Sequence, residues 1–101
     1  VHYVDAHVHI DRYPDPTKVL AAAERTGVVV VAVTETPSDF QSISLLAGRR
    51  RLVSVALGLH PLRAARLGRL ELSLFDRLLP RVEYVGEVGL DGSREGRATL
   101  Q

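Results

Sequence analysis

Residues 28–33 read VVVVAV, an unbroken apolar run in which five of the six side chains are valine. Valine is β-branched and favours strands, and an apolar run without polar alternation is typical of a strand that is buried on both faces. We therefore predict that residues 28–34 form a strand of a parallel sheet and that helices cover both faces of this strand.

Three further segments of the chain have the apolar, β-favouring composition of strands. These segments are Tyr3–Ala6, Leu52–Leu57 and Val82–Val88. Together with residues 28–34 they give four predicted strands.

The first helix is predicted between the first two strands. Asp15 can cap it, Pro16 can occupy its first turn, and Gly27 can follow its last residue at about Thr26. These residue types are the ones that are preferred at the first and last positions of helices.

Two further helices are predicted after the second and third strands. The first of these covers Phe40–Ala47, with Ser38 or Asp39 as its cap. The other carries apolar residues at helical spacing over residues 72–79 and ends at Pro80. The resulting order of β-α-β-α-β-α-β fits either a doubly wound sheet or the first half of a (β/α)8 barrel.

The composition limits the functions that the chain can have. Its 101 residues are 46% hydrophobic and 25% charged with a net charge of +1, as expected for one globular domain without a strong electrostatic field. It has no cysteine, which excludes disulfides and thiolate ligands. No apolar run approaches the ~20 residues of a membrane span, so we expect a cytoplasmic protein without membrane contact. We expect His2, beside the chain start, to be exposed.

A histidine pair stands at the end of the first predicted strand, where residues 5–9 read DAHVH. Residues two apart on a strand project from the same face, so Asp5, His7 and His9 are predicted to share one side. Two converging imidazoles are suited to a metal ion. Polar residues that merely end a strand would give the same short pattern.

Ionisable residues also follow two other predicted strands. Residues 58–61 read GLHP and include His60, and residues 86–91 read GEVGLD and include Glu87. Because the carboxyl ends of parallel strands form the functional face of α/β proteins, we expect these side chains near His7 and His9. Glu87 is predicted as a metal ligand that can bridge two ions, although a structural ion pair also fits a glutamate here.

In these three motifs, in this order, the sequence resembles the TatD-like metal-dependent hydrolases. The resemblance implies the first half of a TIM-type (β/α)8 barrel with two divalent metal ions, Mg, Mn or Zn. It implies that His7 and His9 bind one ion, that Glu87 bridges both, and that His60 lies near a substrate phosphate. It also implies a deoxyribonuclease or other phosphodiesterase that acts on DNA or another phosphoester through a metal-activated water.

The resemblance also implies that later ligands are missing. Further histidines and an aspartate would complete the site after the fourth strand, so residues 1–101 are expected to be the N-terminal half of a barrel, truncated at about Gln101. No complete catalytic set is then present in the chain, and we expect it to be inactive alone. Asp5 is expected to accept the second N–H of a ligating histidine, as carboxylates near metal sites commonly do.

Other functions remain open at this point. Amidohydrolases and histidinol-phosphatase-type phosphoesterases also begin with His-x-His, but residues 58–61 and 86–91 speak against both. A non-catalytic interaction module with a vestigial metal site is the second alternative, because a half barrel exposes strand edges to self-association or to the remaining half. Glu35 and Thr36 are predicted to have structural roles, and Arg63, Arg66 and Arg69 to be solvated or to contact phosphates.

Overall fold

The structure is a computed structural model that describes residues 3–99, so the expectations for His2 and for a boundary at Gln101 lie outside it. Four parallel strands form one sheet in the order β1-β2-β3-β4. The strands are β1 (Tyr3–Val8), β2 (Val28–Val33), β3 (Val53–Leu59) and β4 (Val85–Val88).

Helices connect each strand to the next. They are α1 (Pro16–Thr26), α2 (Pro37–Ala47), α3 (Pro61–Ala64) and α4 (Arg69–Leu78), with short 3-10 turns at Ile10–Arg12, Leu79–Arg81 and Gly96–Thr99. In a doubly wound sheet the strand order reverses near its middle. Here the order follows the chain, as in a barrel.

Helix α1 agrees with its sequence signals at both ends. The Asp15 side chain accepts a hydrogen bond from the backbone N–H of Lys18 at 3.2 Å. Gly27 follows the helix with φ of 70°, a left-handed conformation that glycine adopts without a steric penalty. The predicted first helix is therefore confirmed.

Helix α2 starts earlier than predicted. Pro37 occupies its first turn, and Thr36 is the N-cap, whose hydroxyl accepts the backbone N–H of Asp39 at 3.1 Å. The prediction of Ser38 or Asp39 as the cap was therefore wrong. Proline has a fixed φ that suits the first helical position, which places the cap one residue before it.

We expect Thr36→Ala to lower the free energy of unfolding by about 1 kcal/mol, because it removes the acceptor for the Asp39 N–H. Urea unfolding followed by circular dichroism would measure the change. Thr36→Ser is the matched control, since it keeps the hydroxyl and should retain most of the stability. Equal losses in the two variants would contradict the capping role.

The main core lies on one face of the sheet, between the strands and the first two helices. Val30 and Ala32 of β2 pack there with Leu20 and Ala23 of α1 and with Ile43 of α2. The helices thus cover this face.

The other face of β2 is concave and is not covered by these helices. Val31 and Val33 line an open cavity there with Ala56 of β3 and Val88 of β4. The expectation of helices on both faces was wrong. In a barrel, the inner side of each strand faces other strands instead of helices. An apolar run is expected in both situations, so it does not show which of the two covers a strand.

Two strands differ from their predicted form. The pairing of β1 with β2 shifts between Asp5 and Val8, so the alternation of side chains along β1 is interrupted before its end. The fourth strand begins at Val85 rather than Val82, and a 3-10 turn at Leu79–Arg81 precedes it along the chain. Within residues 3–99, no helix has both the length and the apolar character that crossing a membrane requires.

Candidate metal centre

Three side chains converge at the carboxyl end of the sheet. Nε2 of His7 lies 3.4 Å from Oε2 of Glu87, and Nε2 of His9 lies 3.3 Å from the same oxygen. The two imidazole centroids are 5.3 Å apart. One ligand atom from each side chain lies within 4.8 Å of the others. The structure therefore brings together the three residues that the sequence predicts as ligands.

The curvature of the sheet makes this convergence possible. His7 belongs to β1, His9 follows it directly, and Glu87 belongs to β4. Two strands separate β1 from β4, which in a flat sheet would place their backbones about 14 Å apart. Curling of the sheet reduces that separation and lets the side chains meet.

The three side chains fit a divalent metal ion. Zinc binds imidazole nitrogen at about 2.0–2.1 Å, so two ligand atoms on one tetrahedral ion lie about 3.4 Å apart. The separations of 3.3 and 3.4 Å between Glu87 and the imidazoles match that distance. Imidazole and carboxylate donors are suited to zinc and to other divalent transition metals.

His9 is the more protected of the two histidines, with 14% of its side chain exposed against 58% for His7. Burial and the positive charge of Arg12 lower the pKa of His9 below its ordinary value of 6.5, although Glu87 acts in the opposite direction. The imidazole is therefore neutral at neutral pH. Neutral imidazole is the form that binds a metal ion.

We expect acid to reduce stability through His9. In the unfolded chain His9 gains its proton near its ordinary pKa of 6.5, whereas the folded chain takes up that proton only at lower pH. The unfolded state then binds more protons, so the free energy of unfolding falls as pH drops from 6.5 through the lowered pKa. Above that window the contribution of His9 is constant. Urea unfolding between pH 5 and pH 8 would measure this, with metal removed.

His9→Gln serves as the control for this pH dependence, because glutamine does not titrate. We expect its stability to depend less on pH than that of the wild-type chain below pH 6.5. Parallel pH profiles in the two proteins would contradict the assignment.

His60 lies beside the same cluster. It follows β3 and caps α3, where its Nδ1 accepts the backbone N–H of Leu62 at 3.1 Å. With Nδ1 as acceptor, the neutral ring carries its proton on Nε2, which lies 3.5 Å from Oε1 of Glu87. The two oxygens of Glu87 thus face different histidines, a contact that the sequence did not predict.

Asp5 has a different environment from the one expected. Its carboxylate accepts the backbone N–H of His7 at 3.3 Å and lies in an exposed position. This hydrogen bond supports the strand near the bulge rather than the orientation of an imidazole. A role for Asp5 behind a metal-bound histidine stays a prediction.

Glu35 is the residue whose surroundings the sequence analysis did not foresee. It lies two residues after the end of β2, is 7% exposed, and binds the guanidinium groups of Arg12 and Arg63. Its position after a strand end marked Glu35 in the sequence, where a structural role was predicted for it, but its two arginine partners were not predicted. Its neighbour Thr36 has the structural role that was predicted, as the cap of α2.

Comparisons with known proteins agree with this geometry. The family model described as TatD related DNase matches residues 4–101. The crystal structure of YJJV, a TatD homologue from Escherichia coli K12, is similar with a TM-score of 0.77 and 26% sequence identity. The match covers 97% of this chain and 41% of that one, so the chain spans less than half the length of the similar structure. Among curated proteins no relative matches. The predicted fold, the first half of a TIM-type barrel, is confirmed.

Proposed function

The chain belongs to the family of TatD-related DNases, and on this premise we propose that it carries the first metal-binding part of a hydrolase that cleaves phosphodiester bonds in DNA. One observation carries the proposal: His7, His9 and Glu87 converge on one point at the carboxyl end of the sheet. Three suitable donors at ligand spacing, on the face where parallel α/β proteins carry their functional residues, support this proposal.

The residues of this chain would hold the metal ions in place and balance part of their positive charge. His7 and His9 would hold one ion as neutral donors, and Glu87 would supply negative charge to that ion and to a second one. Divalent ions at such sites activate water for attack and stabilise the charge on phosphate oxygens. The lowered pKa of His9 supports the first role, because it keeps the imidazole free of a proton.

His60 would contact the substrate rather than serve as a further ligand. Its Nδ1 is engaged by the backbone of Leu62, which fixes the ring with Nε2 directed towards Glu87. An N–H at that position can donate a hydrogen bond to a phosphate oxygen at the edge of the metal cluster. We propose that His60 orients the phosphate that is cleaved.

We propose that the chain alone does not cleave DNA. The cluster offers one ligand atom from each of three residues, which is enough for one ion with open positions but not for two. A carboxylate free to act as general base is also not found in the cluster of the described residues. Further ligands from the rest of the barrel would complete the site.

The exposed outer strands of the sheet favour binding of a partner, either the rest of a barrel or a second copy of this chain. Tyr3 and Val4 on β1 are 72% and 62% exposed, and Val85 and Val88 on β4 are each 46% exposed. Apolar edge strands favour pairing with further strands. The remaining half of a barrel would cover them, and self-association is the alternative, in which this chain would be an interaction module with a vestigial metal site.

Release of nucleotides from DNA ends tests the proposed function. Full-length protein containing these residues would be incubated with DNA and Mg²⁺, Mn²⁺ or Zn²⁺, beside its His7→Ala variant and the 101-residue chain. We expect cleavage by the wild-type protein, loss with a chelator, and strong loss in His7→Ala. The short chain should bind metal without cleaving DNA.

Two results would count against the nuclease. Full-length protein that binds no metal and cleaves no DNA would favour the interaction module. Cleavage that His7→Ala leaves unchanged would place the catalytic site elsewhere.

A further inference from the structure

Glu35 is a buried carboxylate outside the metal cluster. Its side chain is 9% exposed, and its two oxygens bind two different arginines. Oε1 accepts Nη2–H of Arg12, and Oε2 accepts Nε–H of Arg63 at 2.8 Å. A buried charge persists when it is paired and hydrogen-bonded. Glu35 therefore fixes two guanidinium groups at one place.

The guanidinium groups keep most of their donors available. The side chains of Arg12 and Arg63 are 60% and 56% exposed although both are attached to Glu35. A guanidinium has five N–H donors in a planar arrangement, and within residues 3–99 each of these two uses one of them on Glu35. The remaining donors are suited to the oxygens of an anionic group.

An open pocket of about 410 Å³ lies where the two arginines meet. Arg66 and Glu95 line it as well, with His60 and Leu62 on the side of α3. Three arginines therefore share the pocket with two carboxylates, which leaves an excess of positive charge. An anion entering the pocket would balance this charge.

The pocket adjoins the metal cluster without including it. His60 lines the pocket, and its Nε2 lies 3.5 Å from Glu87. Its backbone N–H donates to the carbonyl oxygen of Glu35 at 2.9 Å, which joins the ends of β2 and β3. The positive charge of Arg12 also reaches His9, whose pKa it helps to lower. If one phosphate of a DNA strand were bound at the cluster, the neighbouring phosphate of that DNA strand would lie close to this pocket.

We propose that Arg12 and Arg63, held in place by Glu35, form a clamp for a substrate phosphate that does not bind at the metal cluster. The inference rests on the proposed function, because it takes the substrate to be a phosphodiester strand. Glu35 is a positioning residue that acts through the two arginines. The clamp makes the site prefer a strand with consecutive phosphates over a single isolated phosphodiester.

Binding of inorganic phosphate to metal-free, full-length protein tests the clamp apart from catalysis. Titration calorimetry with a chelator present would compare the wild-type protein with Arg12→Gln, Arg63→Gln and Glu35→Gln. Arg49→Gln is the matched control, since Arg49 lies exposed between α2 and β3, at the other end of the sheet. We expect affinity to fall about tenfold in each arginine variant of the clamp and to be unchanged in the control.

Glu35→Gln distinguishes positioning from simple charge balance. Removing a negative charge would tighten phosphate binding if Glu35 only neutralised the arginines. We expect weaker binding instead, by about fivefold, because glutamine cannot accept from both guanidinium groups as a carboxylate does. Since Glu35 is buried, thermal unfolding must show that this variant folds; the half-exposed arginines provide the test if it does not.

A kinetic comparison provides the second readout. With Mn²⁺ bound, Arg63→Gln should raise KM for an oligonucleotide about tenfold and should lower kcat/KM for bis(4-nitrophenyl) phosphate much less, because that diester has no second phosphate. Phosphate binding that is undetectable in the wild-type protein, or equal in the clamp variants and Arg49→Gln, would overturn the proposal. Absence of nuclease activity with intact phosphate binding would instead contradict the proposed function alone.

Discussion

Glu87→Gln is expected to abolish metal binding at the cluster and, under the proposed nuclease function, to lower DNA cleavage by the full-length protein about a thousandfold. Oε2 of Glu87 lies 3.4 Å from His7 and 3.3 Å from His9, and Oε1 lies 3.5 Å from His60. Glutamine keeps the length of the side chain but removes the only negative charge in the three-residue cluster of the described chain. Bound metal per chain and single-turnover cleavage would measure the two effects.

Glu83→Gln is the matched control for this experiment. Glu83 is exposed and precedes β4, so the substitution makes the same change of charge at the opposite end of the strand. We expect wild-type metal content and cleavage in this control. If Glu87→Gln retained full metal content, Glu87 would not be a ligand.

The strands were predictable because their signals are local. Residues 28–33 indicate a buried strand by composition alone, and β2 occupies this range. Whether helices or other strands cover the inner face depends on the closure of the sheet, which no local pattern encodes. The cap of α2 depends instead on a local signal: Thr36, Ser38 and Asp39 all have suitable side chains, and Pro37 in the first turn selects Thr36.

The convergence of the three candidate ligands was predictable, because a topological rule brings them together. His7, His9 and Glu87 lie at strand ends, and parallel strands place these ends at one edge of the sheet. No such rule predicts that Glu35 and its two arginines come together. Arg12 and Arg63 lie 23 and 28 residues from Glu35 along the chain, and long flexible side chains can reach many partners.

We expect Gly58→Ala to destabilise the fold severely, by about 4 kcal/mol or more. A Cβ atom at Gly58 would lie 1.6 Å from the backbone oxygen of Thr34 and 2.3 Å from its carbonyl carbon. Thr34 cannot move aside easily, because it is 1% exposed and its hydroxyl both donates to Ala56 O at 2.8 Å and accepts the N–H of Gly58 at 2.9 Å. Urea unfolding would measure the loss.

The same clash would disturb the metal cluster. The oxygen that the new Cβ would strike accepts the backbone N–H of Glu87 at 3.0 Å, so displacement of Thr34 also displaces this proposed ligand. We therefore expect Gly58→Ala to lose metal affinity under conditions where it remains folded. Gly89→Ala is the matched control, since a Cβ there would meet no atom within 4 Å. Similar stability and metal content in the two variants would show that the contact between β3 and Thr34 tolerates a side chain.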